Sequence, residues 1–452
     1  MNLQLRSLFL FVTFLFLISG TSNAQRFWAK GDKIHDFQHQ FRIDTFSIEV
    51  SGLPDSINSN FGIAKIAIDI LHKRVSDLKI ELLSPDGTSI WLTNRNGRDS
   101  GSHYIGTSFS SNGFNGYIHQ GTAPFTGEYM PDGRIEFLND GQNPNGTWKV
   151  LVQDLKEGIS GELYYAWIQF EKNPIPVFVN GRCSMNNPSG CVVTKGYNDS
   201  AMLPDLLMIP SFTVNQIQEY KWNDPFYPGQ LRFAATMGNV GEGPLEIFGK
   251  NEWFCGDTPA RDSASKCPNG MHVRQKIYQN VYYKEGSKIV KKERFAGYNY
   301  YDTKPGHNHY HVEDWVAFRL MKYTFDTKGN ITKKQQVAQG RKETYCLFDS
   351  GICTERDGFC YYNDSTYTEK NLQNYGLGTY TGCHAEFQGI SVGGYDTYGM
   401  MYEGQYLDLP KNLASGTYYL EIEIDPKHNY LEKDRSNDTY VQKVEIALQQ
   451  GN

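Results

Sequence analysis

The sequence predicts an all-β chain, a β-sandwich or jelly roll followed by a second β-rich domain with long loops. Three observations carry this. Short segments alternate apolar and polar residues with the period of two that a half-buried strand requires. Glycine is frequent, at 44 residues, and with proline it punctuates those segments as turns. Aromatic residues reach 14% with 30 tyrosines, a strand-forming composition, and long helical periodicities are scarce. A length of 452 residues leaves room for two or three domains.

The chain opens Met1-Asn2-Leu3-Gln4-Leu5-Arg6, continues through an apolar run from Leu8 to Ile18 and reaches Ser22-Asn23-Ala24. A charged start, an apolar stretch too short to span a bilayer and small residues at a cleavage point predict a secretory signal peptide over 1–24. No later apolar stretch is long enough for a membrane helix, so no membrane span is expected in the mature chain. The expected location is secreted, periplasmic or cell-surface. A net charge of −6 is mild and argues against nucleic acid as a partner.

The first domain is expected over 38–172. Gly62 to Ile70 alternates, as does Asp77-Leu78-Lys79-Ile80-Glu81-Leu82-Leu83. The turn Ser84-Pro85-Asp86-Gly87 follows, with proline to preset φ and glycine to accept positive φ, and Ile90-Trp91-Leu92 returns. Asn145 to Asp154 and Trp167-Ile168-Gln169-Phe170 read as later strands. His103 and His119 read as ordinary loop residues. Residues 173–200, rich in Pro, Gly, Asn and Ser, read as a linker with a small cysteine loop.

A second domain is expected over 201–448. Its most informative stretch is Gly306-His307-Asn308-His309-Tyr310-His311-Val312-Glu313-Asp314-Trp315. Three histidines stand at alternate positions. On a strand they leave the same face, with Cα atoms about 6.5–7 Å apart. His307, His309 and His311 are therefore candidate ligands of one borderline metal, with open positions for water, dioxygen or substrate. Copper, zinc and non-haem iron all accept three imidazoles, so the spacing names no metal. Glu313 and Asp314 are candidates to orient the rings. Gly238-Asn239-Val240-Gly241-Glu242-Gly243-Pro244 is a glycine-rich turn rather than a phosphate loop, since no Lys-Ser/Thr follows it. Eight cysteines without a CxxC point to disulfides in an exported protein. Closeness in sequence suggests Cys183–Cys191 and Cys255–Cys267.

Two resemblances follow from these motifs. The D-L-x-I-x-L-x-S-P-x-G-T hairpin at 77–88, N-G-x-W-x-L-x-V-x-D at 145–154 and the ending at 161–170 resemble the P domain of kexin-like and furin-like proprotein convertases. That implies a sandwich with an accessory role and no peptidase activity. Further on, L-P-D-L, L-R-F-x-x-T-x-G-N-x-G-x-G-P-L-E, H-N-H-Y-H, G-R-K-E-T-Y-C-L, Q-G-I-S-V-G-x-Y-D-T-Y and G-T-Y-x-L-x-I-x-I-D-P occur in order. Together they resemble the lysyl oxidase family, in its shorter bacterial form, over about 203–447.

The second resemblance implies a copper amine oxidase. Its substrate would be a lysine-containing protein or a small primary amine, with dioxygen as oxidant and ammonia and hydrogen peroxide released. It implies copper(II) on His307, His309 and His311, and a lysine tyrosylquinone made from Lys342 and Tyr398. Lys342 must lose its proton to add to the oxidised ring, which desolvation or a nearby metal favours. A base must then take the substrate Cα proton. Asp396, two residues before Tyr398 and on the same face of a strand, is the candidate. Tyr395, Lys333 and Lys334 are the competing positions. Animal members often carry Cys where this chain has Gly394. The cysteines that remain suggest Cys353–Cys360 and Cys346–Cys383. A different class of reading competes, a non-catalytic metal-stabilised extracellular binding protein. A zinc or iron enzyme of another reaction type is a third.

Overall fold

The computed structural model describes residues 24–38, 42–58, 60–97, 100–139, 141–172, 183–185, 187–193, 200–225, 227–303, 309–340, 343–355, 358–383, 387–400 and 402–450. The expected leader, but for Ala24, and most of the expected linker lie outside these residues, as do His307 and Lys342. The described chain is dominated by strands, and its one α-helix is the six-residue Pro210–Asn215. The all-β class is therefore correct. No helix among the described residues is long and apolar enough to cross a membrane.

Nine strands between Gln25 and Lys172 form one hydrogen-bonded path. Its order is Ser89–Asn94, Leu78–Leu83, Gly146–Asp154, Asp44–Val50, Gln25–Ile34, Gly161–Lys172, Phe61–Leu71, Tyr104–Phe109 and Phe125–Tyr129. The Trp148 and Phe170 rings meet at 5.9 Å although two strands separate theirs along this path. A flat sheet would hold them about 14 Å apart, three spacings of about 4.8 Å. The sheet must therefore fold over and close on itself as a sandwich. Its core, including Ile48, Ile66, Leu82, Trp148, Val150 and Phe170, draws on both halves.

The strand Gln25–Ile34 is a central member that the sequence did not announce. It pairs with Gly161–Lys172 from Gln25 opposite Phe170 to Ile34 opposite Gly161. Only Ala29 and Ile34 along it are buried, so its alternation is faint. Gly31 is needed there, because a Cβ would lie 2.2 Å from the Leu163 carbonyl oxygen.

The second region is organised around the 17-residue strand His309–Phe325. It pairs with Lys288–Asp302, Ile331–Gln339, Glu343–Tyr345 and Gly416–Ile424 inside an 11-stranded sheet. Trp315, Val316, Phe318 and Leu320 send its apolar faces into the largest core cluster. A four-stranded sheet carries Gly394–Tyr398 between Ala235–Asn239 and Gly351–Ile352. All eight cysteines are paired, as Cys183–Cys191, Cys255–Cys267, Cys346–Cys383 and Cys353–Cys360.

Candidate active site

His309 and His311 begin the long strand, where pairing holds His309 opposite Asp302 and His311 opposite Tyr300. Both are buried. Their side chains leave one face, as alternate strand positions must. Their Nε2 atoms come within 2.9 Å of each other. Two imidazole nitrogens at that separation either share one proton or share one cation. Metal–imidazole bonds of about 2.0–2.1 Å at right angles would place two nitrogens about 2.8–3.0 Å apart. The donor pair thus fits a metal ion in chemistry and in spacing. His307, the third candidate ligand, lies outside the described residues.

The ring of His311 is steered from the side. Thr344 Oγ1 lies 3.2 Å from its Nδ1 and 3.0 Å from the Tyr300 hydroxyl. Asp302 reaches to 3.9 Å of the same Nδ1. Glu313 and Asp314, the expected orienting residues, are engaged elsewhere: Glu313 accepts from Arg274 at 3.1 Å and Asp314 pairs with Lys427 at 2.9 Å. The reason is local. Asp314 has φ of 56°, and the pairing of this strand with Glu343–Tyr345 shifts register between Val312 and Val316. The simple alternation of the strand is interrupted there, just past the histidines.

Tyr398 ends the strand Gly394–Tyr398. Its hydroxyl donates to the Cys346 carbonyl at 2.9 Å and accepts from the Cys346 amide at 3.0 Å. Its ring stacks on Tyr345 at 3.7 Å and meets Tyr402 edge-on at 5.3 Å. Burial, followed by the charges of Asp396 and Tyr345, pushes the phenol pKa well above its ordinary value. The ring is therefore held as a neutral phenol. The disulfide Cys346–Cys383 sits close by, its sulfurs within 4.8 Å of a His309 nitrogen. Oxidised sulfurs offer no thiolate, so this pair is no ligand set.

One pocket, open on one side to solvent, collects these groups. His309, His311, Thr344, Tyr398, Tyr402 and Glu403 line it from the second region. Asp396 does not line it. That carboxyl is fully buried, and burial with the nearby Asp349 charge drives its pKa well above the carboxylate range. Tyr395 faces a separate cluster with Phe212, and Lys334 lies on an exposed strand beside Glu421. Neither competes for the pocket. Thr344 and Tyr345 were missed in the sequence, although they stand directly before Cys346 in the segment that carries Lys342. Lys342 itself lies outside the described residues.

Residues 287–450 match the family model described as lysyl oxidase, a span that includes both histidines and Tyr398. The chain carries a lysyl oxidase domain. Residues 63–123 match the proprotein convertase P-domain, so that module stands ahead of it. Among relatives, human lysyl oxidase homolog 1 is 30% identical over 132 residues, 29% of this chain and 18% of the relative. Human protein-lysine 6-oxidase is 26% identical over 133 residues, 29% of this chain and 25% of that protein. The pig protein-lysine 6-oxidase is 26% identical as well, with 41% of its length covered. The match thus spans between about a fifth and two fifths of these relatives.

Proposed function

We propose that this chain is an exported copper- and quinone-dependent amine oxidase. It converts peptidyl-lysine or another primary amine to the aldehyde: RCH2NH2 + O2 + H2O gives RCHO, NH3 and H2O2. The observation that carries the reading is the opening of two converging imidazoles and a buried tyrosine into one pocket. Copper(II) would be held by His309 and His311, joined by His307, and when bound it supplies the one-electron chemistry that dioxygen requires. Lysine tyrosylquinone, formed from Lys342 and Tyr398, supplies the electrophile toward the amine.

The protein's own part is positioning. Tyr345 and the Cys346 backbone fix the plane and the oxygen of Tyr398. Thr344 ties that segment to the His311 ring, and it follows Lys342 by two residues in the chain. A base must accept the substrate Cα proton. Asp396, the candidate from spacing, is fully buried and holds its proton, so it is poorly placed to accept another. Glu403, at the pocket surface, is the better placed carboxylate.

The test is copper-loaded, dioxygen-exposed protein given a primary amine. Peroxide should be released and a carbonyl reagent should stop it. Lys342→Ala and Tyr398→Phe should each abolish turnover, and tryptic mass spectrometry should find the 342 and 398 peptides joined. Absence of both the joined peptide and a visible quinone band would overturn the reading.

A further inference from the structure

The pocket is not built by the lysyl oxidase domain alone. Trp91, Asn94, Arg95 and Leu155 of the sandwich line it as well. Trp91 belongs to the core of the second region, its ring 4.8 Å from Phe348 and 6.4 Å from Tyr402. Its neighbours are held in place. Asp132 accepts from the Asn94 amide and from the Asn96 side chain, each at 2.7 Å. A second seam joins the two modules where Tyr117 and His119 pack on Phe212 and the Gln216 side chain donates to the His119 carbonyl at 2.8 Å.

Arg95 is the sandwich's charged contribution. Its backbone sits in the left-handed region, φ 58°, pinned by its amide to the Leu78 carbonyl at 2.8 Å. A non-glycine residue in that region is uncommon and persists where the surroundings hold it. Its guanidinium is felt by Tyr402, the ring packed edge-on against Tyr398. Across the same pocket the lysyl oxidase domain presents Glu403. One cationic and one anionic group therefore line the space in front of the histidines and Tyr398.

We propose that the P-domain module is the substrate-selecting wall of the amine site, and that Arg95 selects amines carrying a carboxylate close to the reacting ammonium. The fitting substrate is a lysyl side chain flanked by acidic residues. Glu403 draws the ammonium and Arg95 the carboxylate, while Trp91 and Leu155 hold the alkyl chain. A lysine flanked by further cations meets repulsion from the guanidinium. This rests on the amine oxidase reading, which supplies the reacting ammonium.

The experiment uses two short peptides, one lysine flanked by glutamates and one flanked by arginines, with n-butylamine as the reference that carries no flanking charge. Binding to copper-loaded full-length protein is measured by calorimetry, and turnover by peroxide release. The wild type should prefer the glutamate-flanked peptide in both Kd and KM. Arg95→Glu should shift the ratio of the two affinities by about tenfold toward the arginine-flanked one, the order expected when an attractive charge becomes repulsive. Arg95→Gly suits the left-handed backbone, so it should fold and lose the preference without reversing it. Each peptide's kcat/KM is divided by that of butylamine in the same variant, so a general change in activity cancels from the ratio. Reversal of binding without turnover keeps the wall and sinks the oxidase reading. Turnover with an unchanged peptide ratio sinks the wall and keeps the oxidase. Neither preference nor turnover sinks both.

Discussion

At the scale of single residues, the chemistry depends on how few freedoms are left to each ring. Alternation in H-N-H-Y-H was enough to put His309 and His311 on one face, because strand geometry fixes that without help from the rest of the chain. Their orienting partners were not legible, because Thr344 and Asp302 arrive from neighbouring strands. Thr344 is the sharper test. Its hydroxyl bridges His311 and Tyr300, and Thr344→Val keeps the branched shape while deleting that oxygen. Loss of such an outer partner typically weakens metal binding by about 10–100-fold. Titration of the metal-free variant with copper should show that loss with little change in the unfolding midpoint of the metal-free protein. Unchanged affinity would mean that His311 needs no steering from this side. The reading of Asp396 shows the limit of spacing arguments. Sharing a strand face with Tyr398 made it a candidate, yet the same face is packed core, where burial makes a carboxyl keep its proton.

At the scale of elements, the strands that were read correctly are those whose sequence alternates apolar and polar residues. Leu78–Leu83 and Gly416–Ile424 carry strong apolar patterns and sit where the pattern asks. Gln25–Ile34 does not, since its residues are mostly exposed, and it is recognised only through its partners. The loop after Gly416–Ile424 gives a testable consequence of burial. Arg435 there gathers Asp425, Glu432 and Asp438 within 3.0–3.2 Å, and Glu432 also accepts the Leu206 amide at 3.0 Å. Burial, then the charge of Asp438, pushes Glu432 up to about 8, and burial lifts Asp438 to about 7. Between the ordinary carboxylate range and about pH 8 the unfolded chain has lost a proton that the folded chain keeps. The unfolded state binds fewer protons there, so stability falls as pH rises through that window. Glu432→Gln retains the acceptor for Leu206 and removes the titration. Urea midpoints from pH 5 to 8.5 should fall less steeply in this variant than in the wild type. Parallel slopes would show that Glu432 is ionised in the folded protein across the range.

At the scale of the whole molecule, each module could be recognised from its own motifs, but their joint pocket could not. A motif reports what its own fold requires, and the residues at the seam, Trp91, Tyr117 and His119, are ordinary aromatic and loop positions within the sandwich sequence. Their partners, Phe348, Phe212 and Tyr402, lie more than 90 positions away in the chain. Here Trp91 leaves the sandwich core to enter the core of the lysyl oxidase domain, with only 7% of its surface exposed. A seam with a buried aromatic anchor should couple the unfolding of the two modules, in contrast to domains joined by a linker alone. Trp91→Ala would leave a large void at the seam and cost about 3–5 kcal/mol, the usual range for truncating a buried aromatic. Because this cost falls on the contact between modules, differential scanning calorimetry should turn one cooperative transition into two separated ones. A void within either module would only lower the midpoint of that module. Trp91→Phe keeps an apolar ring and should remain a single transition, slightly lowered. Two transitions already present in the wild type, or one unchanged transition in Trp91→Ala, would show that the modules fold independently of this ring.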